Sequence, residues 1–225
     1  MDHPEDILNE MDMKTYIPGK IICVGMNYRS HVTEQDGRFP SEPVLFAKAR
    51  SCIIKDGDNI VYPPEVKELD YEVELAVVIG KRMKDVKEEG VPGYIYGYTV
   101  LNDITARDIQ KNESQWYRAK SFDTFGPMGP TIVKQEDFGD PYNIGLKSYV
   151  NGELRQDGNT NDMVFGVYTL ISYISQSITL YPGDLISTGT PSGVGVFMEE
   201  KKLLKPGDEV ICEVERVGRI TNKVV

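Results

Sequence analysis

The feature that most constrains this chain is a pair of glutamates two residues apart in an apolar strand. Glu72 and Glu74 lie in the segment 70–80, where Val, Leu, Ala and Ile make up most of the other residues. Successive side chains of a strand point to opposite faces, so the two carboxylates share one face, about 7 Å apart along the backbone. The same face continues into Ala76 and Val78, which predicts that both carboxylates point towards the interior.

Two carboxylates placed side by side repel each other, by about 4 kcal/mol at 4 Å with an effective dielectric constant near 20. A bound divalent cation would offset this repulsion. The alternative is an edge strand whose two glutamates are both in water, because Glu is rarely buried without a partner. The segment by itself leaves both interpretations open.

A third carboxylate, Asp103, ends another apolar strand, which is predicted over residues 94–101 and is followed by Asn102. Three carboxylates without a nearby His or Cys ligand form a hard, oxygen-only donor set. Such a set favours Mg²⁺, Mn²⁺ or Ca²⁺ over Zn²⁺ or Cu²⁺. Asp103 could instead cap a short helix predicted over residues 104–112, or could use one oxygen for each task.

Four cationic or titratable side chains could contribute to a catalytic site. His31 is followed three residues later by Glu34, and residues at this spacing face each other on one helical turn. A carboxylate beside an imidazole favours the protonated ring and fixes its tautomer, and such a pair can take a proton from water or from a carbon next to a carbonyl. Lys120 or Arg107 could supply the cation that an anionic substrate needs. Taken alone, His31 and Lys120 are more typical of ordinary surface side chains.

Composition limits the partners and the compartment. The 225 residues, 40% of them hydrophobic, suit a polar leader over residues 1–18 and a single domain over residues 19–225. A net charge of −10 without a basic run argues against nucleic acid and anionic membrane as partners. No apolar stretch approaches the ~20 residues of a membrane span. The acidic N-terminus lacks the apolar run of a signal peptide, so a cytoplasmic location is expected.

The pattern of elements predicts a β-rich chain of the α+β class. Short strands recur, Asn151-Gly152 is typical of a hairpin turn, and the regular alternation of a Rossmann fold is missing. An amphipathic helix is predicted over residues 164–178, with Asn161 and Asp162 as N-cap candidates. The charged segment 81–89 is expected to form a short exposed helix. The three cysteines lie in apolar runs and are expected to be small buried hydrophobes: Cys23, Cys52 and Cys212.

Five motifs in this order resemble those of the fumarylacetoacetate hydrolase family, and together they cover the chain from about residue 20 to its C-terminus. The motifs are Gly25-Met26-Asn27-Tyr28 with His31, Asp70-Tyr71-Glu72-Val73-Glu74-Leu75, Asn102-Asp103 with Ala106-Arg107-Asp108, Lys120-Ser121-Phe122-Asp123, and Thr188-Gly189-Thr190-Pro191 with Gly193-Val194-Gly195.

The resemblance implies a mixed β-sheet rolled on itself, as a β-roll or barrel, with a few peripheral helices and a homodimeric assembly. It also implies Mg²⁺ or Mn²⁺, with Ca²⁺ as a further candidate, held by Glu72, Glu74 and Asp103.

The resemblance also implies roles for the polar residues. His31 with Glu34 is similar to the family's acid–base pair on a short helix that orders over the bound substrate. Lys120 resembles a lysine near the metal that contacts the substrate. Three further residues match positions that bind carboxylate or carbonyl groups of the substrate: Arg107, Gln110 and Thr190.

Compact members of the family act on short 2-oxo acids such as acylpyruvates, oxaloacetate or hydroxyheptadienedioates. The separate N-terminal domain of larger members is lacking here, which argues against fumarylacetoacetate as the substrate. The first hypothesis is therefore a metal-dependent hydrolase that cleaves a C–C bond in acylpyruvate-type 2-oxo acids through an enolate. The alternatives are a decarboxylase or isomerase (tautomerase) of 2-oxo diacids, and a non-catalytic protein with a structural Ca²⁺.

Overall fold

A computed structural model describes residues 12–225, so that the first eleven residues of the predicted leader lie outside the described part. The strands of the described part are β1 (Ile21–Gly25), β2 (Val44–Lys48), β3 (Ile53–Lys55), β4 (Asn59–Ile60), β5 (Leu69–Asp70), β6 (Val73–Ile79), β7 (Ile95–Asn102), β8 (Thr105–Ala106), β9 (Gly126–Lys134), β10 (Gly145–Val150), β11 (Glu153–Asn159), β12 (Leu185–Ser187), β13 (Glu209–Val214) and β14 (Gly218–Val224). The α-helices are α1 (Arg29–Glu34), α2 (Arg107–Asn112), α3 (Gln135–Phe138) and α4 (Val167–Ser177). None of these helices is long and apolar enough to cross a membrane.

The strands form one large mixed sheet and one smaller sheet that packs against it. The seven-stranded sheet has the order β2-β1-β12-β6-β7-β9-β3, in which β1 runs parallel to β12 and β3 runs parallel to β9. This sheet curls into a half-barrel, which confirms the predicted α+β fold with a rolled mixed sheet. The five-stranded sheet has the order β11-β10-β13-β14-β4. Strands β5 and β8 form a separate two-stranded sheet.

Strand β6 is buried on both faces. Its odd-numbered residues, such as Leu75 and Val77, belong to the main core, whereas Ala76 and Val78 pack in a second cluster on the other face. Met13 and Tyr16 belong to that second cluster, and the Tyr16 hydroxyl donates a hydrogen bond to the carbonyl of Gly183 at 2.9 Å. The described end of the predicted leader is therefore packed against the large sheet.

Two local predictions about helices are wrong. The segment 81–89 contains no helix over its first seven residues; Met83 is buried and its amide donates to the carbonyl of Leu180 at 2.9 Å, so pairing across the fold replaces local helix formation. A 3₁₀ turn follows at Glu88–Tyr94. Helix α4 begins after Gly166 rather than at Asn161 or Asp162. The Asp162 carboxylate instead accepts a hydrogen bond from the amide of Ser30, in the first turn of α1.

The predicted hairpin and the role of the cysteines are confirmed. Asn151 and Gly152 both have positive φ, 52° and 79°, as a type I′ turn requires between antiparallel strands. The three cysteines are buried and unpaired: Cys23, Cys52 and Cys212.

Candidate active site

Three buried carboxylates meet where β6 begins and β7 ends. Strand register pairs Val73 with Asn102, and the Asp103 amide donates to the carbonyl of Glu72 at 2.9 Å, which brings the two strand ends together. One oxygen each from Glu72, Glu74 and Asp103 lies within 4.8 Å of the others, and each residue is at most 5% exposed. The alternative of a solvated edge strand is therefore wrong.

Cationic side chains surround two of the three carboxylates. Lys120 Nζ lies 2.8 Å from both Glu72 Oε2 and Asp103 Oδ2. Lys48 Nζ lies 2.6 Å from Asp103 Oδ1 and also donates to the carbonyl of Lys120. Arg107 Nη2 lies 2.6 Å from Glu72 Oε1, as an ion pair without hydrogen-bond alignment. Lys120 is thus buried and paired rather than solvated.

Asp103 does not cap α2. The helix begins at Arg107, and the residue at its N-cap is Ala106, which has no side-chain cap. Both oxygens of Asp103 instead form ion pairs with ammonium groups, as described above. The alternative prediction that Asp103 caps the helix is therefore wrong.

The environment gives Glu72 and Glu74 opposite pKa shifts. Burial on its own raises the pKa of Glu72, but the charges of Lys120 and Arg107 outweigh burial and lower that pKa to about 2. Burial, together with the charges of Asp103 and Glu72, raises the pKa of Glu74 to about 8. Within residues 12–225, Glu74 has no ion-pair partner and accepts hydrogen bonds only from the Ser187 hydroxyl and, at 3.0 Å, from the Gly189 amide.

The donor set fits a divalent cation. Three converging carboxylates offer only oxygen ligands, as hard cations such as Mg²⁺ and Mn²⁺ prefer. Burial and the charges of Asp103 and Glu72 raise the pKa of Glu74, and a divalent cation bound among the three carboxylates would act in the opposite direction. The cluster can thus hold a metal, while the identity of the ion stays a prediction.

The acid–base pair predicted on α1 is assembled in the fold. His31 Nδ1 lies 2.6 Å from Glu34 Oε1, and Glu34 Oε2 accepts a hydrogen bond from the Gly193 amide at 2.8 Å. The edge of Phe197 packs against the ring, with centroids 6.0 Å apart. Because Nδ1 is engaged, Nε2 is the ring nitrogen left for the cleft.

A cleft of about 230 Å³ lies between the carboxylate cluster and the His31–Glu34 pair. Its walls include seven of the nine predicted site residues: His31, Glu72, Glu74, Arg107, Gln110, Lys120 and Thr190. The other two, Glu34 and Asp103, stand behind the walls and bond directly to His31 and Lys120.

The predicted substrate-binding residues already have partners. Gln110 Oε1 accepts from Arg107 Nη1 at 3.1 Å, and Arg107 Nε donates to Asp70 at 2.9 Å. The hydroxyl of Thr190 donates to the carbonyl of Val73 at 2.9 Å. Their roles towards a substrate stay predictions, because these contacts are all within the protein.

Three further residues belong to the site although the sequence did not single them out for it. Lys48 ends an apolar strand, as catalytic residues often do, but a lysine there is also typical of a sheet edge. Asp70 opens the motif that contains the two glutamates, and Ser187 follows an apolar run just before Gly189. The sequence around these three residues indicates a role in the site only once their partners across the fold are known.

Ser187→Ala is expected to weaken Mg²⁺ binding roughly 10-fold, within the range that loss of a residue behind a metal ligand usually costs. The change removes the hydroxyl that donates to Glu74 and leaves only the Gly189 amide on that carboxylate. Isothermal titration calorimetry measures the affinity. Ser175→Ala is the matched control, because Ser175 is equally buried but bonds within and next to α4. Equal Mg²⁺ affinities in both variants would show that Ser187 does not orient Glu74.

The comparisons with known proteins agree on one family. The sequence profile described as Fumarylacetoacetate (FAA) hydrolase C-terminal matches residues 20–225. A mitochondrial oxaloacetate tautomerase of Bos taurus is 52% identical over 210 residues, which cover 92% of this chain and 67% of that protein.

Solved structures with similar folds carry related names. The 2-hydroxyhepta-2,4-diene-1,7-dioate isomerase of Mycobacterium marinum has a TM-score of 0.83 at 39% identity, covering 93% of this chain and 75% of that one. The fumarylacetoacetate hydrolase of Exiguobacterium antarcticum has a TM-score of 0.88 at 36% identity, covering 100% of this chain and 88% of that one.

The oxaloacetate tautomerases of Bos taurus and of Rattus norvegicus are both named mitochondrial, and the cytoplasmic location expected from the sequence of this chain stays a prediction. The predicted homodimer likewise stays a prediction. Because the profile matches residues 20–225 and relatives about half identical cover most of the chain, this protein is an enzyme of the fumarylacetoacetate hydrolase family.

Proposed function

We propose that this enzyme is a divalent-metal-dependent isomerase that interconverts the keto and enol forms of short 2-oxo diacids, with oxaloacetate as the first candidate substrate. The observation that carries the proposal is that His31, Glu72 and Glu74 line one cleft, with Glu34 and Asp103 directly behind its walls. Tautomerisation needs a group that moves a proton and an electrophile that stabilises negative charge on the carbonyl oxygen. His31 is such a group, and a cation held by the three carboxylates would be such an electrophile.

The named activities of the relatives favour isomerisation over the C–C hydrolysis that the sequence put first. Both the oxaloacetate tautomerase and the hydroxyheptadienedioate isomerase are named for rearranging a diacid without adding water. Keto–enol exchange moves only protons and electrons within the substrate, so the site does not have to place a water molecule against a distal carbonyl.

A metal bound by the three carboxylates would act as a Lewis acid towards the carboxylate and 2-oxo groups of the substrate. Lys120 balances the charge of Glu72 and Asp103 and keeps both in place. His31 Nε2 accepts a proton from the carbon next to the carbonyl, while Glu34 stabilises the resulting imidazolium through Nδ1. The imidazolium of His31 then gives the proton to the carbonyl oxygen, which yields the enol. One C–H bond of the substrate breaks, one O–H bond forms, and the imidazole returns to its initial state.

The proposal is tested by following the approach of oxaloacetate to keto–enol equilibrium in the ultraviolet, starting from the pure enol form. We expect faster equilibration with enzyme and Mg²⁺ than in buffer with Mg²⁺ alone, and return to the buffer rate with EDTA. Acetylpyruvate is assayed in parallel for pyruvate release. Cleavage of acetylpyruvate without any effect on oxaloacetate equilibration would contradict the isomerase and favour the hydrolase.

A further inference from the structure

We propose that Asp70 is a positioning residue that holds Arg107 and the loop 193–197 in one arrangement and thereby links the carboxylate cluster to the His31–Glu34 pair. The inference rests on the proposed function, because it takes His31 as the group that moves the proton. Asp70 itself does not line the cleft and acts only through its neighbours.

The Asp70 carboxylate is fully buried and accepts four hydrogen bonds. Its Oδ1 accepts from the amides of Tyr71 at 3.0 Å and Gly195 at 2.8 Å. Its Oδ2 accepts from Arg107 Nε at 2.9 Å and from the Val196 amide at 3.1 Å. Because all four partners are N–H donors, only a group that accepts at both positions satisfies them.

The loop lies so close to this carboxylate that position 195 has no room for a side chain. A Cβ atom at Gly195 would stand 2.7 Å from Asp70 Oδ1 and 2.5 Å from the carbonyl oxygen of Lys202. Glycine therefore lets the backbone approach the carboxylate directly. The contact between Asp70 and the loop is part of the local fold and not a chance surface contact.

The two sides that Asp70 joins lead to the two halves of the site. On one side, the guanidinium of Arg107 reaches Glu72 Oε1 at 2.6 Å. On the other side, the same loop donates the Gly193 amide to Glu34 Oε2 at 2.8 Å, and Glu34 Oε1 lies 2.6 Å from His31 Nδ1. Direct contacts and one short loop thus connect a metal-site carboxylate to the imidazole.

Asp70→Asn tests the role, because the carboxamide has the same shape but presents an NH₂ group to N–H donors. We expect kcat for oxaloacetate tautomerisation to fall roughly 10- to 100-fold, as for loss of other residues behind a metal site. In a Glu34→Gln background, Asp70→Asn should lower kcat little further, because both changes act on the same imidazole. If the fold-loss of kcat in the double variant equals the product of the fold-losses in the two single variants, the link is overturned.

Asp184→Asn is the matched control for the loss of a buried, multiply bonded aspartate. Asp184 is 2% exposed and accepts from the amides of Lys20 at 3.1 Å and Tyr181 at 2.6 Å, at the start of β12 and outside the cleft. It should lower the melting temperature and leave kcat unchanged. If Asp70→Asn does not fold, Gly195→Ala replaces it, because its methyl group displaces the loop from an intact Asp70 carboxylate. The proposal is overturned if kcat of Asp70→Asn, or of Gly195→Ala in its place, equals kcat of Asp184→Asn.

A second readout separates this proposal from the proposed function. The ¹⁵N resonances of the His31 ring report its tautomer and hydrogen bonding without turnover, and a His31→Asn variant assigns them. Asp70→Asn should move these resonances, whereas Asp184→Asn should not. Unchanged resonances in Asp70→Asn overturn the link even where the enzyme is active. An inactive wild-type enzyme with shifted resonances in Asp70→Asn contradicts the proposed function and supports the link.

Discussion

Glu74→Gln is expected to abolish measurable Mg²⁺ binding and, at the same time, to stabilise the metal-free protein at alkaline pH. The loss of affinity should exceed roughly 100-fold, the upper range for losing a group behind a metal ligand, because a ligand itself is removed. Gln keeps an oxygen that can accept from Ser187 and Gly189, but it carries no charge to repel Glu72 and Asp103. Calorimetric titration measures the binding, and thermal unfolding in EDTA measures the stability.

The sign of the stability change follows from the pKa of Glu74. Folding raises this pKa from the usual 4.5 to about 8, so the folded protein binds more protons than the unfolded chain between these values. The contribution to stability is complete below pH 4.5 and is lost as the pH rises through 8. At pH 9 the metal-free wild type should therefore be less stable than Glu74→Gln by a few kcal/mol, since one pKa unit corresponds to ~1.4 kcal/mol.

Glu209→Gln is the control, because it also removes one carboxylate from a strand, but from an exposed position on β13. It should alter neither Mg²⁺ binding nor the pH dependence of stability. A Glu74→Gln protein that still binds Mg²⁺ with wild-type affinity would show that this cluster does not hold the ion.

His31→Ala is expected to lower kcat by roughly 100- to 10,000-fold, the usual contribution of a general acid or base. Mg²⁺ affinity should stay at the wild-type level, because His31 bonds to Glu34 and to none of the three carboxylates. Steady-state kinetics with oxaloacetate and calorimetric titration of Mg²⁺ give the two quantities. The combination of retained metal binding and lost turnover separates the proton-moving group from the metal ligands.

Thr33→Ala serves as the control on the same helix, since Thr33 is exposed and, within residues 12–225, its hydroxyl donates only to the Arg29 carbonyl. It should leave kcat unchanged. Glu34→Gln should lower kcat less than His31→Ala does, because the ring remains but loses the charge beside Nδ1. Full activity of His31→Ala would remove the imidazole from the mechanism.

The local patterns that decide which face or turn a side chain occupies were readable in the sequence. Strand alternation placed Glu72 and Glu74 on one buried face, and the end of an apolar run placed Asp103 beside them. Helical spacing likewise paired His31 with Glu34. These relations span one to three residues or one strand end, so they depend little on the rest of the chain.

Predictions failed where a distant segment competed for the same backbone or side chain. Met83 pairs with Leu180 instead of starting a helix, and Asp162 bonds to Ser30 instead of capping α4. Helix and capping signals are weak, each of them about 1 kcal/mol per residue or less in many contexts, so a tertiary hydrogen bond together with burial can override them.

The sequence by itself determined the family, the rolled mixed sheet and the residue types of a three-carboxylate site with an acid–base pair. Only the tertiary structure decided which cation meets which carboxylate. Lys48 pairs with Asp103 across 55 residues of chain, and Asp70 pairs with Arg107 across 37. The order of strands in the curled sheet brings these partners together, and no periodicity in the sequence encodes that order. Of the three carboxylates, Glu74 is the one that this arrangement leaves without a cationic partner within residues 12–225, so that only the Ser187 hydroxyl and the Gly189 amide donate hydrogen bonds to it.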